Sequence, residues 1–328
     1  MRYRALGSTG ISVSVIGFGA SPLGNVFSSV PRADDDALVG RAVDAGINFF
    51  DVSPYYGAGL AEERLGEALV PYRKDVVLAT KCGRNGANRF DFSAKGITAS
   101  LEASLRRLKI DAVDLIQAHD IEFGDIDQVI YETIPALLAL KQQGKARYIG
   151  ITGYWPGLLA RVIAEAPVDT VLNYCHLNLF SDEMDAVLTP AAERMGIGLI
   201  NASPLHMGIL GGAQLPDWHP APPAVRVAGA DVVSFCRSSG ADPAILSMWA
   251  CLQYRSVAST LVGFASTEQV DSACAALDFV PDTQMLKTVR RLVAPVFNTS
   301  WPQGRLENED AGRVAPALEE DEIKVAKA

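Results

Sequence analysis

The chain has 328 residues, 49% hydrophobic and 20% charged, enough for one large domain or two ordinary ones. A formal net charge of −9 and a pI near 5.0 argue against nucleic acid or an anionic membrane as the main partner, because both require a positive footprint. No apolar run is long enough to span a bilayer and "MRYRALGSTGISVSVIGFG" lacks the apolar core of a secretion signal, so a cytoplasmic protein without a membrane partner is expected.

The elements alternate along the chain. "RYRALGSTGISVS" (2–14) reads as a hairpin turned at Ser8–Gly10. The apolar run "SVIGFG" (14–19) follows, then "DDDALVGRAVDAG" (34–46), a helix with acidic residues at its start and Gly46 at its end. "NFFD" (48–51) and "VVLATK" (76–81) are the next strands. "SAKGITASLEASLRRLKI" (93–110) is a helix with Ser93 as its cap. "VDLIQAH" (113–119) precedes a helix over 125–145 that Pro135 should kink. The remaining strands are "ARYIGIT" (146–152), "TVLNY" (170–174), "IGLINAS" (197–203) and "TLVGF" (260–264). A long connection, 205–241, follows the seventh and holds a helix from about Ala224.

Eight short, nearly continuous apolar runs separated by amphipathic stretches are the pattern of parallel strands covered on both faces. They predict an α/β fold: a (β/α)8 TIM barrel with an N-terminal β-hairpin plugging its bottom and a long connection after the seventh strand. An open doubly wound sheet would carry a glycine fingerprint after its first strand. Here Gly17 and Gly19 lead into Ala20-Ser21-Pro22, and the third glycine is missing. Residues 1–301 are expected to form one barrel, with 302–328 a polar tail that packs on it or stays unordered.

Cysteine and histidine patterns are uninformative about metals. The five cysteines include no CxxC pair, and His119, His176, His206 and His219 form neither HxH nor HExxH. No metal is expected, and a zinc hydrolase on the same barrel lacks its ligands.

Strand ends carry the chemistry, because residues at the C-terminal ends of barrel strands face the active site. They supply Asp51, Lys81 and His119, with Tyr56 in the loop after Asp51. Each alone has an ordinary explanation: a helix cap, a solvated lysine, a core histidine. Together, on neighbouring strands, they form a proton-transfer set. A buried ammonium lowers the pKa of a neighbouring phenol, and a carboxylate keeps the ammonium charged. The expectation is that Asp51 holds Lys81, Lys81 tunes Tyr56, and His119 orients the oxygen that exchanges the proton.

With these residues in place, the chain resembles the aldo-keto reductase superfamily. "DVSPYYG" (51–57) and "GKARYIGITG" (144–153) carry the likeness, which spans about residues 3–280. The resemblance implies a barrel that binds a nicotinamide dinucleotide without a Rossmann fold and transfers hydride between it and a carbonyl or carbinol carbon. It implies cofactor contacts at Thr152, Asn173, Ser203, Pro204, Leu205, Gly208, Gly263, Ser266 and Gln269. Three positions depart from the family pattern: Gly153 and Asn173 replace an asparagine and a glutamine, and Ala202 stands where a tyrosine usually stacks on the nicotinamide. After the last strand, Gly263 and Gln269 replace the family's cationic grip on a 2′-phosphate, and Glu268 adds a negative charge. NAD is therefore favoured over NADP.

The segments "HDIEFG" (119–124), "ASPLHMGIL" (202–210) and "PDWHPA" (216–221) resemble the branch that oxidises aldoses at C1, with L-galactose the expected sugar. The substrate contacts this implies are Ser21, Tyr56, His119, Asp120 and Glu122. L-Fucose or D-arabinose oxidation, an NADPH-dependent aldehyde or ketone reductase and a non-enzymatic channel-associated subunit remain open. A monomer or weak dimer acting on a small aldose is expected.

Overall fold

The structure is a computed structural model that describes residues 1–26, 30–212, 214–217 and 219–309. Each apolar run becomes a parallel strand: β1 Ile16–Gly19, β2 Phe49–Asp51, β3 Val77–Cys82, β4 Val113–Ala118, β5 Ala146–Gly153, β6 Thr170–Tyr174, β7 Gly198–Ala202 and β8 Val257–Gly263. They pair in chain order, and β8 pairs with β1 to close the barrel. Side chains alternate in and out along each strand. Phe49, Ala79, Leu115, Leu172, Ile200 and Leu261 fill the inside, while a larger apolar cluster joins the outer face to the helices.

The N-terminal hairpin pairs Tyr3–Ala5 with Ser12–Ser14 antiparallel. It sends Leu6, Ile11 and Val13 into the barrel interior, closing the end where the strands start. Helix Ala94–Leu108 is capped by Ser93, whose hydroxyl accepts from the Gly96 amide at 3.0 Å. The expected kink near Pro135 is a π-helical turn, Val129–Thr133, immediately before helix Ile134–Gln142, which absorbs the amide that proline cannot supply.

Two features differ from the sequence reading. The last strand begins at Val257 rather than Thr260; Ser259 and Thr260 are buried polar residues that break the apolar run without breaking the strand. A second small hairpin, Arg84–Gly86 with Arg89–Phe90, follows β3 and has no apolar signature. At the other end of the chain, the Trp301 amide donates to the Tyr154 hydroxyl, and residues 303–308 bond to the loop after β4 through Arg305 N and Asn308 Nδ2, both on Glu122 O. The rest of the expected tail, 310–328, lies outside the described residues. Among the described residues no helix is long and apolar enough to cross a membrane.

One close approach fixes the loop that carries Tyr56. A Cβ on Gly24 would lie 2.5 Å from Tyr56 C, and one on Gly57 would lie 2.6 Å from Gly24 O. Gly57 also has φ +64°. Replacing Gly57 by alanine adds about 1–2 kcal/mol of left-handed strain to the clash. Gly57→Ala is expected to lower both the melting temperature and kcat. Unchanged values of both would show that the two loops do not meet in solution.

Candidate active site

The strand-end residues converge at the C-terminal mouth of the barrel. Asp51 ends β2 and is 2% exposed; Lys81 lies on β3 and is 1% exposed. They form a buried ion pair, supported from both sides. Lys81 Nζ also donates to Val52 O at 3.1 Å, and Gln117 Nε2 of β4 donates to Asp51 Oδ2 at 2.9 Å. These extra bonds matter, because a buried pair offsets its desolvation only when its remaining donors and acceptors are also matched. Tyr56 sits above the pair, partly buried, with its hydroxyl 3.4 Å from Lys81 Nζ. The His119 ring stands edge-on to the Tyr56 ring at 5.9 Å.

Burial works against the Lys81 ammonium, but Asp51 and the Tyr56 phenol outweigh it and hold its pKa above the ordinary value. Tyr56 corrects the sequence reading. Burial raises its pKa above that of a free phenol, and Lys81 pulls it back only in part, so Tyr56 is a neutral phenol at neutral pH. His119 is neutral as well, its pKa lowered to about 3 by burial, against the opposing pull of Asp120.

Around His119 lies a second polar group. Its Nδ1 is 2.9 Å from the Ser53 hydroxyl, and its Nε2 is 3.6 Å from Asp120 Oδ2. Asp120, at φ +54°, is ion-paired to Arg84, and the Arg84 guanidinium lies over Tyr55 at 4.0 Å, Phe123 at 4.9 Å and Phe90 at 5.3 Å. Ser53, Gln117 and Arg84 escaped the sequence reading. Gln117 lies two residues before His119, so strand alternation places both on one face and could have found it. Arg84 lies in the hairpin that has no apolar pattern.

Other expected site residues fall in varied surroundings. Thr152 is fully buried and braces Asp120: its Oγ1 accepts the Asp120 amide at 2.9 Å and donates to Asp120 Oδ1 at 3.3 Å. Asn173 Nδ2 donates to Gly153 O and Tyr154 O at 2.9 and 2.8 Å, leaving Oδ1 buried and unpartnered. Ser203 has φ +58° at the end of β7, Pro204 O accepts from Ser247 Oγ at 2.5 Å, and Leu205 and Gly208 share a turn. Across the mouth, a Cβ on Gly263 would lie 3.3–3.4 Å from Pro22 and Ser21. Ser266 precedes helix Thr267–Ala275, and Gln269 Oε1 accepts from the Ala265 amide at 2.7 Å.

This set fits a nicotinamide dinucleotide. Gly263, Ser21 and Pro22 form a narrow cradle that a side chain would fill, next to the opening amides of a helix. Asn173 corrects the expectation: Leu172 fills the barrel inside, so strand alternation turns Asn173 to the helix side, and its unpartnered Oδ1 is not offered to a carboxamide in the mouth. Tyr174 fell outside the expected set. It is in register with Ala202 and its hydroxyl donates to Glu122 Oε1 at 3.1 Å. Among the described residues, no group of three or more His, Cys, Asp or Glu is placed to hold a metal ion.

A closed (β/α)8 barrel with an acid, a lysine, a tyrosine and a histidine at its mouth defines a class, and the model of the aldo/keto reductase family matches residues 15–294. The chain belongs to this family of oxidoreductases. It is 44% identical over 316 residues to an L-galactose dehydrogenase of Arabidopsis thaliana, covering 93% of this chain and 98% of the relative. It is 30% identical over 230 residues to a D-threo-aldose 1-dehydrogenase of a Pseudomonas species, covering 63% of this chain and 70% of the relative. Among solved structures, an aldo-keto reductase from Bacillus halodurans in its holo form superposes with a TM-score of 0.73 at 26% identity, covering 92% of this chain and 98% of that one.

Glu122 occupies an unusual position. It has no exposed surface; Oε1 accepts from Tyr174 Oη and, at 3.2 Å, from the Tyr154 amide, while Oε2 has no partner. It braces the loops after β4 and β5 from behind. Burial, and then the charge of Asp120, push its pKa up from 4.5 to about 8. The fold therefore prefers the protonated acid. Its stabilising contribution is complete below the ordinary glutamate range and is lost as pH rises to about 8. Glu122→Gln should flatten the decline in melting temperature over this interval. An unchanged slope would show that Glu122 is ionised throughout.

Proposed function

We propose that the chain oxidises L-galactose at C1 to the lactone, with NAD as cofactor and Tyr56 as the general base. The convergence of Tyr56 with Lys81 and His119 over a buried Asp51 carries the reading, and the 44% identity to an L-galactose dehydrogenase supports the sugar. When bound, NAD supplies the acceptor for the hydride that leaves C1. Tyr56 takes the proton of the C1 hydroxyl. Lys81, held charged by Asp51, stabilises the phenolate that accepts that proton. His119, neutral and buried, orients the reacting oxygen by a hydrogen bond without competing for the proton. Asp120, fixed by Arg84 and Thr152, and Ser21 across the mouth are the groups available for sugar hydroxyls; Glu122 supports them from behind.

For the cofactor, the exposed Glu268 and the uncharged Gln269 at the start of the last barrel helix disfavour a 2′-phosphate. Initial rates with L-galactose, L-fucose, D-arabinose, D-galactose and D-glucose, each with NAD and NADP, test the reading. L-Galactose with NAD is expected to lead. A misplaced hydroxyl leaves two groups unmatched and costs about 1–3 kcal/mol for each. Gln269→Arg should narrow the NAD preference through a charge-assisted bond worth about 1.5–3 kcal/mol, even though it gives up the Ala265 contact. Equal use of both cofactors by the wild type would sink the NAD assignment.

The mechanism makes its own prediction. Because Tyr56 is a raised phenol, its reactive phenolate fraction grows about tenfold per pH unit below its pKa. The log of the oxidation rate should climb with a slope near one through neutral pH, while carbonyl reduction, which uses the protonated phenol, should stay flat there and fall only as pH approaches the raised pKa. His119 should add no limb between pH 5 and 9. Tyr56→Phe should lose about 10²–10⁴-fold in kcat with NAD affinity retained. A limb near pH 6.5 that vanishes in His119→Gln would reassign the base to the histidine.

A further inference from the structure

We infer that Ser53 is a positioning residue that fixes the tautomer of His119, so that the imidazole presents an N–H, not a lone pair, to the reacting oxygen. Ser53 is fully buried, and its oxygen accepts the Tyr55 amide at 3.0 Å. A hydroxyl has one hydrogen to give, and His119 Nδ1, at 2.9 Å, is the acceptor within reach. Nδ1 is then unprotonated, and in a neutral imidazole the ring hydrogen must sit on Nε2. The opposite tautomer would aim Nδ1–H at Ser53, leaving the hydroxyl hydrogen without an acceptor in a buried site.

The other side of the ring gives the same answer independently. Nε2 faces Asp120 Oδ2 at 3.6 Å. That carboxylate is held by Arg84 and by the Thr152 hydroxyl, so it cannot turn away. An Nε2 lone pair there would face negative charge, whereas an Nε2–H is attracted to it. Ser53 stands two residues after Asp51 in the same loop that supplies Tyr56. One short segment thus carries the base and sets the donor state of its neighbour.

The tautomer assignment stands on geometry alone; its catalytic consequence rests on the dehydrogenase reading. The test uses full-length protein labelled with ¹⁵N-histidine, with the His119 signals assigned by their loss in His119→Gln. In the wild type, Nδ1 is expected to resonate as an unprotonated acceptor and Nε2 as a protonated donor. Ser53→Ala should mix or reverse the two forms and lower kcat about tenfold or more, with NAD affinity, measured by fluorescence, near wild type and a modestly lower melting temperature, because the Tyr55 amide loses its acceptor. Ser53→Thr keeps the hydroxyl and should restore both tautomer and kcat. A wild-type His119 protonated on Nδ1 would overturn the inference, as would a Ser53→Ala protein with unchanged ring shifts and kcat. If wild-type protein oxidises no aldose, the functional reading fails, and the nitrogen shifts still decide the role of Ser53.

Discussion

The site depends on one buried ion pair. Lys81 and Asp51 lie on adjacent strands with almost no exposed surface, where two isolated charges would each lose several kcal/mol of hydration. The pair survives because the barrel matches its remaining valences: Val52 O and the Tyr56 hydroxyl on the ammonium side, Gln117 on the carboxylate side. Remove either charge and the other becomes an unpaired buried ion. The phenol would then lose the cation that offsets its burial, so the state of Tyr56 follows from the state of the pair.

Holding a phenol 3.4 Å from an ammonium requires the loop after β2 to be rigid, and the rigidity is built from outside the site. Arg64 forms a buried pair with Asp35 and also donates to Leu23 O and Val30 O, pinning the loop after β1. That loop presents Gly24, against which the backbone of Tyr56 and Gly57 is pressed. Glu62, buried on the helix after this loop, ties to Thr80 on β3 and to Arg107 on the following helix. The proton-transfer geometry is thus linked to the outer helices through charged side chains whose partners are fully specified, the condition under which buried polar networks rigidify rather than weaken a fold.

The strands were legible because their signal is hydrophobic and local. Eight apolar runs of the right length predict a barrel, and strand-end placement then selects Asp51, Lys81 and His119. What the sequence hides is polar and non-local. Arg84 sits in a hairpin without apolar alternation, and its partner Asp120 is 36 residues away. Ser53 looks like an ordinary loop serine until the fold places it against His119, from a strand end 66 positions on. The sign of the Tyr56 shift was misread for a related reason. Sequence names the neighbouring charge, but it does not give the burial that outweighs it. Glu122 reads as a loop carboxylate free to meet a sugar, and only the packing of residues 303–308 over its backbone shows it enclosed.

These arrangements divide the mouth of the barrel into layers of charge. The deepest holds a matched ion pair, Lys81 and Asp51. Above it, the groups nearest the reacting oxygen, Tyr56 and His119, are both neutral at physiological pH. Beside them, Arg84 and Asp120 form another matched pair, clamped between aromatic rings and the Thr152 hydroxyl. A neutral reacting layer between two compensated ones lets Tyr56 release a proton and take one back with little net charge to be solvated from outside. The charge that does appear, on the phenolate oxygen, forms where Lys81 already stands, so little reorganisation is needed when it appears. If His119 were protonated, that balance would fail, because a cation beside Lys81 would be both desolvated and repelled. Its burial, with Ser53 supplying a hydrogen to one ring nitrogen, keeps the imidazole in the neutral donor state that the layer requires.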